Sequence, residues 1–296
     1  MRAVSGAVGA ITVTSLPVAG MASGQSGDRY SPGHDTMTIQ QVLDLIIANA
    51  GGPFPQTVDT VKSGDPTQPV KGIVTTMFAT VDVIKKAIAA GANLIIAHEP
   101  TYYNHADSTE KLENDDVYRY KSELLAKNNI VVWRCHDYIH SFKPDGVYEG
   151  VLAKLKWKGY AEKESQARLK IPATTLGSVI SHAKKSLSIP TVRYMGDQSQ
   201  TISSVLFMVG APGGPRQIAA INEVKPDLVI IGELVEWETM EYMRDLRSSG
   251  RSTAMIILGH IPSEEPGMEW LVSWLKPKLN GIPVQFITSG HPVKWA

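Results

Sequence analysis

Short, mostly apolar runs alternating with amphipathic helical stretches predict an α/β fold, and the way those runs end predicts where its chemistry sits. Residues 92–97 (Ala-Asn-Leu-Ile-Ile-Ala) stop at His98-Glu99. Residues 130–135 (Ile-Val-Val-Trp-Arg-Cys) stop at His136-Asp137, with His140 close behind, and residues 254–259 stop at His260, with Glu264 four residues on. Continuous apolar runs of this length read as buried strands, and in an open α/β sheet ligands collect in the loops beyond the strands' carboxyl ends. Imidazole and carboxylate together at such ends suit a divalent transition ion. One histidine at a strand end is more often a packing residue than a ligand; the repetition carries the expectation.

The elements follow in order. Residues 39–47 carry apolar positions at three and four, a helix stopped by Gly51-Gly52-Pro53. Residues 72–77 read as a strand and 80–90 as a helix with Thr80 as N-cap and Gly91 at its end, so with the His98 strand they make a β-α-β unit and parallel strands. Helices are predicted at 117–128 and 147–155. Residues 162–170 are polar; 174–187 read as a helix, and 191–196 and 202–209 as strands of a second lobe. Residues 211–215 (Ala-Pro-Gly-Gly-Pro) turn into a helix over 216–223. This turn lacks the spacing and lysine of a nucleotide loop and is read as structural, with an anion cradle as the alternative. Residues 228–233 form one more strand, ending in Glu233, and 236–247 one more helix. Pro262 and Pro266 argue against one continuous helix holding His260 and Glu264, so strand end plus helix entry, with Ser263 as cap, is expected.

The chain has 296 residues, 43% hydrophobic and 20% charged, enough for a sizeable core and two lobes. Lys plus Arg (29) balances Asp plus Glu (29), so no field favours nucleic acid or an anionic membrane as partner. The single cysteine, Cys135, rules out an internal disulfide framework and leaves nitrogen and oxygen donors for any metal. Residues 1–30 are assigned to a signal or disordered segment: Arg2, a Gly/Ala/Val/Ile stretch and small residues at 18–23 outline a secretory signal, diluted by Ser, Thr and Gly. An exported or periplasmic protein is expected if that segment is a signal, a cytoplasmic one otherwise. Nothing later approaches the ~18 apolar residues of a membrane span.

Three segments carry a resemblance. The stretch from Gly72 to Pro100, closing on His98-Glu99-Pro100, resembles the signature of the NGG-one-interacting-factor-three-like dinuclear metal-centre family. The stretch from Asp227 to Gly232-Glu233 resembles that family's Asp-x-x-Ile-x-Gly-Glu segment, and Gly259-His260-x-x-x-Glu264-x-x-Gly267 its closing motif. The resemblance covers most of residues 37–296 and is weakest over 158–200. It implies two α/β lobes with mixed sheets flanked by helices, residues 37–145 plus 254–296 forming the metal-bearing lobe and 146–253 a lobe inserted in it.

The resemblance also implies two metal ions, held by paired histidines in the first motif, an aspartate in the middle loop, and the His and Glu of the closing motif. Carried across, the implied ligands are His98, Glu99, His140, His260 and Glu264. This chain departs twice: Glu99 stands where the second histidine is expected, and the middle-loop aspartate falls on His140 when His136 is matched to that motif's first His. The departures exchange an imidazole and a carboxylate, keeping three histidines and two carboxylates, a set suited to Zn, Mn or Fe. Asp137 is the alternative middle ligand; it and Glu233 are also candidates to accept a ligating imidazole's second N–H. Tyr102, Tyr103 and His105 lie beside the first motif as pocket candidates.

Two such ions could activate water and polarise a carbonyl, amidine or phosphoryl group. The expected function is a metal-dependent hydrolase, cyclohydrolase or amidohydrolase-like, of a small molecule. The alternative is a non-catalytic metal-binding oligomeric scaffold or partner-binding protein. Family members are often labelled GTP cyclohydrolase I type two, although no guanine or triphosphate signature is visible here. The resemblance implies a homo-oligomer, a hexameric ring, for which Trp237, Trp270, Trp274 and Trp295 could supply apolar surface.

Overall fold

A computed structural model of the chain describes residues 37–294; the proposed signal segment and Trp295 lie outside them. The chain builds two sheets. The first takes its parallel core from β2 (Ile73–Thr76), β3 (Leu94–Ala97), β4 (Val131–Arg134) and β11 (Val284–Phe286), with β1 (Val61–Ser63) antiparallel on the β4 edge; the order is β1-β4-β3-β2-β11. The second is ordered β5-β6-β8-β9-β10-β7. In it β8 (Thr201–Met208), β9 (Leu228–Ile231) and β10 (Ala254–Ile257) are parallel, while β5 (Ala161–Glu162), β6 (Ser165–Thr175) and β7 (Arg193–Met195) flank them antiparallel.

The period of two within each apolar run splits each sheet into two faces. In the first sheet Val74, Ile95 and Val132 meet Val83, Ile84 and Ala87 of α2 (Val81–Ala89) and Leu125 of α3 (Asp116–Lys127). Ile73, Leu94, Ile96, Val131 and Trp133 face the other way, into a core shared with α1 (Ile39–Asn49), α5 (Gly146–Lys154) and α9 (His260–Leu275). That core continues through Val205, Phe207, Leu228, Ile230, Ala254 and Ile256 of the second sheet and Val179 of α6 (Leu176–Leu187). The outer face of the second sheet packs on Ile221 of α7 (Gly214–Val224) and on Met243 and Leu246 of α8 (Glu241–Ser248). The expected α/β fold of two sheets flanked by helices is what the chain forms.

Local chemistry explains most boundaries. Thr38 and Gln41 form a capping box on α1, and the Thr80 hydroxyl accepts from Val83 N–H to cap α2 as expected. Asp115 caps α3, and Asp145 caps α5 by accepting from Val147 and Tyr148. The helix expected over 236–247 begins as a π-helical turn, Glu236–Met240, before α8.

Three expectations need correction: the lobe to which residues 254–257 belong, the break between His260 and Glu264, and Ser263 as cap. Residues 254–257 do not return to the first lobe: Ala254–Ile257 registers on Leu228–Ile231 of β9, because β9-α8-β10 is a further parallel crossover. The chain re-enters the first sheet only at β11. The three histidine-ended runs therefore do not share a rim of one sheet; two end on the first and one on the second. The polar stretch 162–170 lies largely in β6, an antiparallel strand that buries Leu169 and Ile171 and turns polar neighbours outward, with a register shift between Lys170 and Thr174 where Pro172 sits. Finally, His260 and Glu264 do share one helix. Gly259, at φ 96°, leads straight into α9, and Pro262 occupies the first turn, where no N–H is needed. Ser263 is not the cap: its hydroxyl donates to the His260 carbonyl and accepts from Gly210 N–H.

Candidate metal centre

β3 runs on past its last paired residue, His98 N–H donating to the Thr76 carbonyl and Glu99 N–H to that of Met77, so both side chains are fixed at the strand's end. At the end of β4, Asp59 receives the backbone N–H groups of His136 and Tyr138 and holds the turn into α4 (Asp137–His140). Burial pushes the Asp59 carboxyl up to about 6 against those two hydrogen bonds. His260 and Glu264 arrive on the first turns of α9.

Four imidazoles converge, and each is tied at Nδ1. His98 Nδ1 donates to the Cys135 carbonyl (3.1 Å), His136 Nδ1 to Asp137 (2.9 Å), His140 Nδ1 to Asp145 (2.9 Å) and His260 Nδ1 to Glu233 (3.0 Å). An imidazole that donates from one nitrogen presents the other as a lone pair, the arrangement that orients histidine toward a metal. The rings of His98, His136 and His140 lie with centroids 4.8–5.2 Å apart.

Two carboxylates complete the cluster. Glu264 Oε2 lies 3.3 Å from His98 Nε2 and 3.0 Å from His260 Nε2, while its Oε1 is 3.8 Å from His140 Nε2. Glu99 Oε1 is 3.2 Å from His260 Nε2, and its Oε2 faces Arg134 Nη2 at 3.3 Å. Donor atoms of His98, His136 and His140 all fall within 4.8 Å of one another, as do those of His98, Glu99 and Glu264. His98 Nε2 is fully buried and has no hydrogen-bond partner, although Glu264 is near. With Nδ1 donating, that nitrogen and the carboxylate are two acceptors facing each other, a contact a cation relieves. The residues present therefore fit a divalent metal.

The electrostatics agree. Burial raises the Glu99 carboxyl, but the hydrogen bond and positive charge of His260 outweigh it and hold the group at about 2. Burial raises the Glu264 carboxyl too, but the hydrogen bond and positive charge of His260 help to hold it well below the usual carboxylate range. Burial opposes charge on His260, yet its hydrogen bonds to Glu264 and Glu99 push it up to about 10. Burial pushes His136 down to about 4, keeping it a neutral lone-pair donor at neutral pH.

All five sequence-derived candidates, His98, Glu99, His140, His260 and Glu264, come together. His136 joins them, marked in the sequence by the strand-end pattern itself. Asp137 lies behind His136, its other oxygen accepting from the Thr57 hydroxyl and Val58 N–H, which is the place of an orienting group. Glu233 has the same relation to His260. Tyr103 and His105 line an adjoining cavity of about 910 Å³, whereas Tyr102 is buried against Tyr118. The Gly213-Gly214 turn is filled from within, Gly214 N–H donating to Glu238. Arg134, Asp59 and Asp145 had no sequence signal: each matters through a partner distant in the chain.

Fold and cluster together define a two-sheet α/β protein with a candidate divalent-metal centre where strand ends of both sheets meet. The chain belongs to the Duf34/NIF3 (NGG1p interacting factor 3) family, whose model matches residues 58–292. Among relatives, a GTP cyclohydrolase 1 type 2 homolog of Clostridium acetobutylicum is 26% identical over 216 residues, 69% of this chain and 76% of that protein. A protein of the same name from Clostridium perfringens is 24% identical over 238 residues, covering 76% and 85%. A hypothetical protein of Staphylococcus aureus shares the fold at TM-score 0.71 and 17% identity, over 88% of this chain and 100% of that one. A Bacillus cereus protein related to NIF3 does so at 0.67 and 14%, over 88% and 100%. Among the described residues no helix is long and apolar enough to cross a membrane.

Proposed function

We propose that the cluster holds two divalent transition-metal ions and serves hydrolysis of a small molecule. The carrying observation is the set of four imidazoles, each anchored at Nδ1, three of which close on the buried Glu264, with His98 Nε2 left unsatisfied. His98, His136 and His140 form one donor group; His98, Glu99 and Glu264 form the other, with His260 against both carboxylates. Bound there, such ions supply Lewis acidity to a substrate oxygen and make water more acidic. The protein's residues do the rest. Asp137, Asp145 and Glu233 hold imidazole rings in place, and Arg134 occupies one oxygen of Glu99, leaving Oε1 for the centre. The cavity beside Glu99 and His105 has the size of a small-molecule site. The relatives' cyclohydrolase name belongs to the same reaction class. Zn, Mn and Fe all suit the donor set.

Protein purified without a metal-affinity tag is expected to carry about two ions per chain by plasma mass spectrometry, lost in His98→Ala and His260→Ala. Less than a tenth of an ion per chain after incubation with zinc, manganese or iron would sink this reading. A non-catalytic scaffold is the second reading, favoured by one feature: Trp237 is 79% exposed. Light scattering on wild type and Trp237→Ser tests it, a smaller assembly in the variant being the supporting result.

Metal uptake should follow pH. His260 is raised to about 10 in the metal-free chain, so its stabilising contribution is complete below the ordinary histidine range near 6.5 and is lost as pH rises through 10. Glu99, held at about 2, contributes fully above about 4.5 and loses that contribution as pH falls toward 2. Chelator-treated protein should therefore have its highest urea midpoint between about pH 4.5 and 6.5, declining toward 10. A midpoint that climbs from pH 6.5 to 10 would contradict the coupling. Zinc uptake at pH 7 should release protons into a weak buffer, since His260 must give one up.

A further inference from the structure

Lys121, in α3, is only 4% exposed, and among the described residues no carboxylate lies within 4.0 Å of its ammonium. The nearby Asp107 is taken by Lys62 at 3.2 Å and Arg134 at 3.7 Å. Lys121 Nζ donates once, to the Thr101 carbonyl at 2.6 Å, and otherwise meets the faces of Tyr103 and Tyr102, whose ring centres are 5.3 and 5.7 Å away. Aromatic faces offset part of the cost of burying a cation but do not neutralise it. Burial accordingly pushes the amine down to about 8. Thr101 is fully buried, and its hydroxyl has no hydrogen-bond partner. Both residues line the 910 Å³ cavity that Glu99 and His105 also line. Glu99 brings no uncompensated charge, being met by Arg134 and His260. The exposed Asp82 and Lys86 on α2 offset each other.

We propose that Lys121 and Thr101 form an oxyanion-receiving corner, and that the molecule occupying this cavity carries a carboxylate or phosphate there while its reacting part lies toward Glu99. Calling that molecule the substrate rests on the hydrolytic reading above; the anion corner itself needs no metal. A carboxylate or phosphate oxygen would complete the ammonium's hydrogen bonding and accept from the Thr101 hydroxyl. Charge-assisted bonds of this kind in a water-poor site are the strong ones. Specificity for the anion would be high, because a neutral analogue leaves both donors without an acceptor.

Phenyl phosphate and benzoate are the probes, with phenol as neutral control, titrated into chelator-treated protein by calorimetry. One of the two anions is expected to bind at least tenfold tighter than phenol, and the tighter one identifies the group. Lys121→Met should weaken that anion tenfold or more, and Thr101→Val severalfold, with zinc uptake unchanged in both. Equal binding of the anion to wild type and Lys121→Met, or no anion binding by wild type, overturns the proposal. Wild type gives a check that needs no variant: the saturating anion should raise the Lys121 titration midpoint by about one unit or more in carbon NMR, and an unmoved midpoint also overturns it. Anion binding without zinc uptake would retain this corner and remove the metal reading; zinc uptake without anion binding would do the reverse.

Discussion

Arg134→Met is expected to lower the free energy of unfolding by about 3–5 kcal/mol, the cost of removing one partner from a buried charge pair. Among the described residues Arg134 is the largest wholly buried side chain. Its Nε donates to the His98 carbonyl, its Nη1 to the His105 carbonyl and its Nη2 to Glu99, and Asp107 lies 3.7 Å away. Methionine nearly fills the volume but leaves the Glu99 Oε2 and two carbonyls without donors, and Asp107 with Lys62 as its remaining cation. Because the guanidinium joins His98 to His105, the loop carrying Glu99 loses its fastening as well. Metal affinity should drop about ten- to a hundredfold, the usual consequence of removing a group that orients a ligand. Urea unfolding of metal-free protein and competition against a fluorescent chelator measure the two effects separately. A stability loss below about 1 kcal/mol would mean that the pair contributes little.

Gly150→Ala should be comparably damaging, by a different route. A Cβ at Gly150 would sit 2.2 Å from the Pro266 carbonyl oxygen and 2.6 Å from Gly267 Cα, both backbone atoms of α9. The contact is reciprocal, since a Cβ at Gly267 would lie 2.7 Å from Val147 Cα. Helix α9 can yield only by moving away from α5, and Glu264 is two residues before Pro266. A loss of about 3 kcal/mol is expected, at the upper end of overpacking costs, together with weaker zinc binding because the carboxylate moves with its helix. Gly159→Ala is the control: a Cβ there has open space, so its midpoint should stay within about 0.5 kcal/mol of wild type. An unchanged midpoint for Gly150→Ala would show that the two helices separate freely.

These two variants lie where sequence reading was weakest. The β-α-β units were legible because each central strand is a run of four buried residues, as in Leu94–Ala97 and Leu228–Ile231, flanked by helices with recognisable caps. The strands β1 and β11, three residues each, are too short to show a period, and β6 hides its buried Leu169 and Ile171 among polar neighbours. Membership of β10 in the second sheet is a matter of pairing, which no local pattern records. The five candidate donors were legible because a histidine or carboxylate at an apolar run's end is conspicuous. His136 carries the same mark, but the family motif it aligns with assigns that position no ligand. Arg134 is the opposite case. It sits inside an apolar run, and its meaning appears only once Glu99, 35 residues earlier, is folded against it.

The wide separation of the donors along the chain bears on biosynthesis. His98, Glu99, His136 and His140 are translated more than a hundred residues before His260 and Glu264. A nascent chain halted after β10 holds the three-imidazole group but lacks the carboxylate that approaches three of the four histidines. On the proposed two-ion reading, occupancy of both donor groups would wait until α9 has left the ribosome and docked between the sheets. On that reading the early histidines would meanwhile be open to any soft or borderline ion, and the arrival of Glu264 would set which ions the finished site keeps.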